Sequence, residues 1–205
     1  IREFGALPPA GVANLPELID WLETSRKPVV AAIHGVAAGG GLELALGCHY
    51  RIAAPKTRLG LPEVTLGILP GAGGTQRLPR VAGVEAALEL IVSGRLISER
   101  EALSLGIVDA IADGDPIDAA VAKALELARD GAPPRRSSDR DAGLAAAKAD
   151  PGLFETFRRG MAKRARGMNA PYACVRCIEA ATRLPFAEGR HFEREEFKAL
   201  VNAGE

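Results

Sequence analysis

The sequence predicts an α/β fold in which short strands alternate with helices up to about residue 130, followed by an all-helical segment. Two patterns predict this fold. In the first part, short apolar runs with β-branched side chains alternate with helical periodicity, and only helical periodicity follows the loop at 131–140. The length of 205 residues agrees with one domain that carries a helical appendage. We therefore divide the chain into a core at 1–130 and a C-terminal helical region at 131–205.

The elements of the first hundred residues follow from local patterns. Residues 15–24 repeat apolar side chains at helical spacing and stop before Lys27-Pro28, which predicts a helix. Residues 29–34 are a short apolar run, typical of a buried strand. The Gly- and Ala-rich stretch 35–41 predicts a turn into a short, largely buried helix at 42–48. Further strands are predicted at 50–54, 58–61 and 107–111, and a second glycine-rich turn at 67–74.

The remaining helices follow from capping residues and periodicity. Ser98, followed three residues later by Glu101, is the signature of a capping box, so a helix begins there and ends before Gly106. The loop with Pro133-Pro134 and Arg135-Arg136 is the predicted internal boundary. Helical periodicity predicts the other helices at 75–80, 84–93, 117–129, 144–149, 153–167, 173–183 and 192–202.

Composition gives no reason to expect nucleic acid or a membrane as a partner. The formal net charge is +0, so no basic surface is indicated. Apolar runs stay well short of the roughly 20 residues of a membrane span. Residues 1–20 contain Glu3, Pro8 and Glu17 where a signal peptide would carry a basic and then an apolar stretch.

The three cysteines predict packed thiols and a reducing compartment. Cys48, Cys174 and Cys177 are too few for a disulfide framework. Cys174 and Cys177 form a single CxxC on a predicted helix, and no second CxxC or His cluster completes a metal site. We predict no metal, and metal or redox roles stay the minor alternative.

The densest candidate site combines three glycines with two glutamates. Gly39-Gly40-Gly41 precedes a helix that carries Glu43, and Glu63 follows twenty residues later. A glycine run before a helix can be a tight turn with close packing, or a helix N-terminus whose N–H groups bind an anion. Phosphate loops do not fit, because Gly41 stands where the Walker lysine is needed and Gln76 breaks the dinucleotide pattern in the second glycine-rich stretch.

An oxyanion hole suits these glycines better. Gly40 can bring its N–H close to a carbonyl oxygen, with the helix dipole behind it. Glu43 could merely complement that dipole, but its apolar neighbours indicate burial, and Glu63 alone would be a solvated turn residue. Together the two carboxylates could hold a water and exchange protons with it, and the stretch from Gly71 can offer another N–H. No GxSxG or HExxH motif supports a serine or zinc hydrolase.

These motifs resemble the crotonase superfamily, specifically the enoyl-CoA hydratases. The resemblance is carried by KPVVAAIHG at 27–35, AGGGLELA at 38–45, GLPE at 60–63, LGILPGAGGTQRL at 66–78, GRLIS at 94–98 and ALSLGIVD at 102–109. It covers about half of the chain. The tail, with IEAA at 178–181, LPF at 184–186 and EGRHFERE at 188–195, resembles the end of the hydratase part of bifunctional hydratase/3-hydroxyacyl-CoA dehydrogenases.

The resemblance implies a spiral of ββα units followed by C-terminal helices. It implies that Glu43 and Glu63 are catalytic, that Gly40 is an oxyanion donor and that Gly71 helps to position the catalytic water. The implied reaction is syn hydration of 2-trans-enoyl-CoA to 3-hydroxyacyl-CoA in fatty-acid β-oxidation. Glu63 alone could shuttle a proton between Cα and Cγ, so Δ3,Δ2-enoyl-CoA isomerisation stays an alternative, as does a non-catalytic acyl-CoA-binding remnant.

The resemblance also sets expectations about what surrounds the chain. The second oxyanion donor and the first strands of such a core would precede Ile1, so we expect the core to lack its N-terminal part. The expected partner is the acyl-CoA substrate, with no further cofactor. The chain is expected to form homo-oligomers or to be fused to a dehydrogenase part, although no dinucleotide fingerprint follows Gly189. The expected location is cytoplasmic in a bacterium or peroxisomal in a eukaryote.

Overall fold

The computed structural model describes residues 13–131 and 133–203. The α-helices of this part are α1 (Leu15–Glu23), α2 (Gly40–Gly47), α3 (Gly74–Ala82), α4 (Val84–Ser93), α5 (Glu99–Ser104), α6 (Pro116–Asp130), α7 (Ala145–Ala149), α8 (Leu153–Met161), α9 (Ala170–Arg183) and α10 (Phe186–Ala203). The strands are β1 (Val30–Ile33), β2 (Val36–Ala38), β3 (Tyr50–Ala53), β4 (Arg58–Gly60), β5 (Ile97–Ser98) and β6 (Ala110–Ile111). Two 3-10 helices, η1 (Pro62–Leu66) and η2 (Asp141–Leu144), complete the described elements.

Strands β1 to β4 form two successive strand–strand–helix units. In each unit the first strand joins one sheet, of order β1-β3-β6, and the second strand joins the other, of order β2-β4-β5. Val30 of β1 pairs in parallel with Tyr50 of β3, and Ala38 of β2 pairs with Gly60 of β4. One turn of this spiral therefore takes about twenty residues. Glu43 and Glu63 follow the paired ends of β2 and β4, so the spiral brings them to corresponding positions on successive turns.

The second strand of the first unit corrects the prediction of a plain turn at 35–41. Val36–Ala38 pairs with β4, and Gly35 and Gly39 bracket it with positive φ angles of 65° and 58°. These angles lie in the region that only glycine adopts without strain, which is why glycines bound so short a strand.

Three other boundaries and one pairing also differ from the sequence predictions. The strand predicted at 107–111 is limited to Ala110–Ile111. The alternation of strands and helices predicts parallel strands, but β5 runs antiparallel to β4. Helix α8 ends at Met161, and α10 begins at Phe186, six residues earlier than predicted. The predicted N-cap is confirmed, because the side chain of Ser98 accepts a hydrogen bond from the N–H of Glu101.

The hydrophobic core extends from the strands to the last helix. A single buried cluster includes Ile33 of β1, Leu88 of α4 and Leu200 of α10. Helix α9 lies against α3 and α4, and Cys174 and Cys177 are fully buried on its inner face as free thiols. Burial raises the pKa of both thiols, as expected for packed cysteines. The C-terminal helices thus share the core of the α/β part, and the domain boundary near residue 130 stays a prediction.

A buried ion cluster connects α1 to the start of α3. The guanidinium of Arg77 is fully buried and contacts Glu23 at 2.7 Å and Asp20 at 3.0 Å. Arg77 also donates to the carbonyl oxygen of Ala72 at 3.3 Å. The cluster therefore fixes one side of the glycine-rich loop that precedes α3.

No helix in residues 13–131 or 133–203 combines the length and the apolar character that crossing a bilayer requires.

Candidate active site

The N-terminus of α2 presents a backbone N–H at the expected position. Gly39 caps the helix with φ 58° and ψ −128°, and its carbonyl accepts from the N–H groups of Leu42 and Glu43. Gly40 is the first helical residue, so its N–H lies outside the hydrogen-bond ladder of the helix. The positive end of the helix dipole lies at the same point. This geometry suits the oxyanion-donor role predicted for Gly40, which stays a prediction.

Glu43 is held by the loop that precedes α3. Its side chain is only 3% exposed, and its Oε1 accepts hydrogen bonds from the backbone N–H groups of Ala72 and Gly74, both at 2.8 Å. Such bonds to a carboxylate are charge-assisted and favour its ionised form. The prediction of a buried first-turn glutamate is therefore correct, and its support comes from residues about thirty positions further along the chain.

Glu63 lies in η1, directly after Pro62, and its carboxyl group reaches back to the cap of α2. A Cβ at Gly39 would lie 3.0 Å from Oε1 of Glu63, so this carboxyl group lies directly beside the residue that precedes Gly40. The residue is 8% exposed. Its Oε2 is buried and has no hydrogen-bond partner within the described part of the chain. A buried polar oxygen in this state is costly, which is typical of a functional position.

The two carboxyl groups have different surroundings. Burial, and next the charge of Glu43, raise the pKa of Glu63 to about 8. Burial also raises the pKa of Glu43, but its two backbone donors oppose that rise. At neutral pH Glu63 therefore holds its proton, and the two backbone donors favour the ionised form of Glu43.

A third buried carboxyl group, which sequence reasoning missed, comes from the C-terminal helices. Glu193 of α10 is fully buried, and it accepts from the N–H groups of Gly73 at 2.7 Å and Thr75 at 3.0 Å. The hydroxyl of Thr75 also donates to it at 2.5 Å. Gly189 and Leu200, four and seven residues away, are the other buried positions of α10, but this spacing does not distinguish Glu193 in the sequence from the other charged residues of the helix.

Gly71 is the predicted site residue with the least direct connection to the carboxyl groups. A Cβ at Gly71 would lie 2.7 Å from Cδ2 of Phe197 on α10. Neighbouring Ala72 and Gly74, and not Gly71, donate to Glu43. The water-positioning role of Gly71 stays a prediction.

An open cavity of about 360 Å³ begins directly beyond Glu63. Its wall starts with Val64 and Thr65 of η1 and continues along α4 and α8. The wall is mostly apolar and includes Val92, Phe157, Met161, Ala165 and Met168, with Glu89 and Arg164 as its charged members. A long apolar group could be accommodated there.

A helix N-terminus beside two buried carboxyl groups is the arrangement expected of an enzyme that stabilises an oxyanion and transfers protons. The comparison with protein families agrees with this class. The family described as Enoyl-CoA hydratase/isomerase matches residues 12–137. The chain belongs to this family.

Two curated relatives show how much of a longer protein the chain represents. It is 50% identical over 208 residues to the peroxisomal bifunctional enzyme of Danio rerio, and this match covers 100% of the chain and 28% of that protein. It is 43% identical over 184 residues to a peroxisomal fatty acid beta-oxidation multifunctional protein of Arabidopsis thaliana, with 88% of the chain and 25% of that protein covered. The chain thus spans about a quarter of the length of these relatives.

Solved structures confirm the fold. The crystal structure of an enoyl-CoA hydratase from Bacillus anthracis is 32% identical, with a TM-score of 0.50, and the match covers 94% of this chain and 65% of that one. The structure of Pseudomonas aeruginosa DspI gives a TM-score of 0.55 at 29% identity, covering 92% of this chain and 63% of that one. The expected crotonase-like α/β architecture with a C-terminal helical segment is therefore confirmed.

Proposed function

We propose that this chain carries an enoyl-CoA hydratase site that adds water across the double bond of a 2-trans-enoyl-CoA. The observation that supports it most is the pairing of Glu43 and Glu63 beside the N-terminus of α2. Glu43 accepts hydrogen bonds from two backbone donors, which favour its ionised form, and Glu63 is buried and holds its proton at neutral pH. Hydration of an activated double bond needs a base for the water and an acid for the α-carbon.

The proposed chemistry assigns a task to each group. The N–H of Gly40 donates to the thioester oxygen, on which negative charge develops. Glu43 accepts a proton from the water as the water oxygen bonds to Cβ, and the π electrons move toward Cα and the thioester oxygen. Glu63 then donates its proton to Cα, which gives the 3-hydroxyacyl thioester. Transfer of the proton from Glu43 back to Glu63 restores the starting state. Water and protons suffice, so the reaction as proposed requires no additional cofactor.

The apolar cavity beyond Glu63 is the proposed place for the acyl chain. Its wall begins at Val64, the residue that follows the acid. An acyl chain that extends into it would bury apolar surface on binding, which contributes roughly 0.8 kcal/mol per CH₂ group.

The second candidate reaction is Δ3,Δ2 isomerisation of an enoyl-CoA. The unpartnered buried Oε2 of Glu63 supports it, because a single carboxyl group could remove a proton from one carbon and return it to another. Relative rates on 2-enoyl and 3-enoyl thioesters separate the two reactions.

The wider setting follows from the relatives. They are named as a peroxisomal bifunctional enzyme and as a peroxisomal fatty acid beta-oxidation multifunctional protein. We propose β-oxidation as the pathway and a dehydrogenase part, joined to this one in the complete protein, as the partner that takes the 3-hydroxyacyl product. We propose a peroxisomal location if the source is a eukaryote and a cytoplasmic one if it is a bacterium. A homo-oligomer is the alternative to a fused partner.

Substitution of the acid tests the function directly. In the complete protein, Glu63→Gln keeps the size of the side chain but cannot donate a proton to Cα. We expect hydration of crotonyl-CoA to fall roughly 10²–10⁴-fold, the usual contribution of a general acid or base. Glu126→Gln on α6 is the matched control, since Glu126 is exposed and pairs with Lys123 of the same helix, outside the candidate site.

Two results would contradict the proposal. Near-normal turnover of Glu63→Gln removes Glu63 from the mechanism. If the wild-type protein does not turn over enoyl thioesters but gains thermal stability with saturating acyl-CoA, the non-catalytic acyl-CoA-binding alternative is favoured, because a ligand that binds the folded state must raise the melting temperature.

A further inference from the structure

The loop before α3 divides four successive backbone N–H groups between two carboxyl groups. Those of Ala72 and Gly74 donate to Glu43, at 2.8 Å each. Those of Gly73 and Thr75 donate to Glu193, at 2.7 Å and 3.0 Å. The N–H groups that donate to Glu43 therefore alternate along the chain with those that donate to Glu193.

This loop needs outside support to keep its shape. Gly73 has a φ of 105°, and Gly74 follows it directly, so two neighbouring residues lack the conformational restriction of a Cβ. Ordering such residues costs more conformational entropy than ordering others. Three hydrogen bonds to one buried carboxyl group, including the one from the hydroxyl of Thr75, offset that cost.

Helix α10 is packed against the loop closely enough to hold Glu193 in place. A Cβ at Gly189 would overlap Oε1 of Gln76, and a Cβ at Gly71 would lie 2.7 Å from the ring of Phe197. Gly189, Glu193 and Phe197 are spaced four residues apart and thus share one face of the helix. A small residue, a carboxyl group and an aromatic ring on this face together match the surface of residues 71–76.

We propose that Glu193 is a positioning residue for catalysis: by holding the N–H groups of Gly73 and Thr75, it orients those of Ala72 and Gly74 toward Glu43. In this role Glu193 acts on Glu43 through the loop. This proposal rests on the proposed function for its kinetic readout, because the role of Glu43 in activating water is assigned there.

The kinetic test is Glu193→Gln in the complete protein. The amide can still accept from Gly73, but its NH₂ group cannot accept from the N–H of Thr75. We expect kcat for crotonyl-CoA hydration to fall about 10–100-fold, as for a small misplacement of a catalytic group, with KM nearly unchanged. The matched control is Glu196→Gln on the same helix, which removes a surface ion pair with Arg176 and leaves kcat unchanged. A lower melting temperature with unchanged kcat in Glu193→Gln would overturn the proposal.

A double substitution shows whether Glu193 acts through Glu43. If it does, Glu193→Gln has little further effect on kcat when Glu43→Gln is already present, because residues that act as one unit do not give additive free-energy changes. If the loss in the double variant equals the product of the two single losses, Glu193 works independently of Glu43, and the proposal is wrong.

Amide hydrogen exchange tests the positioning without any activity. In Glu193→Gln we expect faster exchange at Ala72 and Gly74, which Glu193 does not contact, as well as at Gly73 and Thr75. Faster exchange only at Gly73 and Thr75 contradicts the proposal. This measurement separates the two proposals, since a wild-type protein that does not hydrate crotonyl-CoA refutes the function while the exchange rates still decide the role of Glu193.

Discussion

Residues 35–41 and residues 71–75 are both glycine-rich and both lead into a helix, yet they use their backbone N–H groups differently. In the first segment the N–H of Gly40 lies outside the helical ladder, next to the carboxyl group of Glu63. In the second segment four consecutive N–H groups, from Ala72 to Thr75, donate to buried carboxyl groups. The first segment is thus suited to receive a ligand, and the second holds two of the protein's own carboxyl groups, Glu43 and Glu193.

The difference teaches that glycine composition alone does not identify an anion site. The two segments differ in the carboxyl groups that lie beside them. Glu43 of α2 and Glu193 of α10 accept the hydrogen bonds that residues 72–75 donate. Glu63 approaches the first segment with its pKa raised to about 8, so at neutral pH it brings a proton and not a negative charge. A developing oxyanion near Gly40 therefore meets no opposing charge on Glu63.

The largest expected effect comes from removing the Gly40 donor. Proline is tolerated at the first position of a helix, where it only deletes an N–H that the helix does not use. We expect Gly40→Pro to lower kcat for crotonyl-CoA hydration by about 10²–10³-fold relative to Gly40→Ala, the usual cost of losing one oxyanion donor. Steady-state kinetics of the two variants measure it.

Gly40→Ala is the control because it adds a Cβ at the same place and keeps the N–H. That Cβ meets only Cδ2 of Leu15, at 2.7 Å, which is the movable end of a flexible side chain. Equal activity of the alanine and proline variants would show that the first segment does not donate to the substrate.

A smaller effect is expected in the pH dependence of stability. The pKa of Glu63 is raised from 4.5 to about 8 by folding, so between these values the folded protein binds more protons than the unfolded one. The stabilisation by protonated Glu63 is complete below about pH 4.5 and is lost as pH rises through about 8. We therefore expect the difference in the free energy of unfolding, Glu63→Gln minus wild type, to increase by on the order of 3 kcal/mol from pH 5 to pH 9.

Urea unfolding of both proteins at the two pH values measures this difference. The comparison removes the contributions that the two proteins share. An unchanged difference in the free energy of unfolding between pH 5 and pH 9 would mean that Glu63 is ionised in the folded protein at neutral pH.

The smallest effects are expected from adding one methyl group to each segment. A Cβ at Gly74 would lie 2.8 Å from Pro70 and 2.9 Å from Oε1 of Glu43, whereas a Cβ at Gly41 has no atom of the described structure within 4 Å. We expect Gly74→Ala to destabilise the fold by about 1–3 kcal/mol, the usual cost of overpacking. Gly41→Ala should stabilise it by about 0.4–1 kcal/mol, because alanine restricts the unfolded chain.

Thermal unfolding of these two variants checks the packing around the second segment. If Gly74→Ala is as stable as Gly41→Ala, the loop before α3 can move away from Glu43 at little cost, and the close support described for Glu43 is wrong.

Sequence patterns predicted the helices and strands that neighbouring residues specify. Helices α1, α4 and α6 repeat apolar residues at helical spacing, and Ser98 marks the start of α5. Strands β2 and β5 escaped prediction because their pairing with β4 comes from the tertiary structure and leaves no local pattern. The antiparallel direction of β5 was missed for the same reason.

The residues of the candidate site also differ in whether the sequence could predict them. Glu43, Glu63 and Gly40 could be selected from their motifs, and the twenty-residue repeat of the spiral explains why they lie together. Glu193 could not, because it stands among Glu188, Arg190, Arg194, Glu195 and Glu196 in the sequence, and only the docking of α10 distinguishes it from these more exposed charges. Charged residues in an amphipathic helix are usually solvated, so its burial depends on contacts that no local pattern contains.

The hydrogen bond between Gly73 and Glu193 joins residues 120 positions apart. The ribosome synthesises the loop before α3 well before it synthesises α10. The loop therefore reaches its final shape only after α10 has docked. Contacts this distant form late and slowly in folding, because a long loop of chain must close first. The backbone donors of Glu43 are therefore fully supported only after α10 has docked, which makes the surroundings of Glu43 a marker of completed folding.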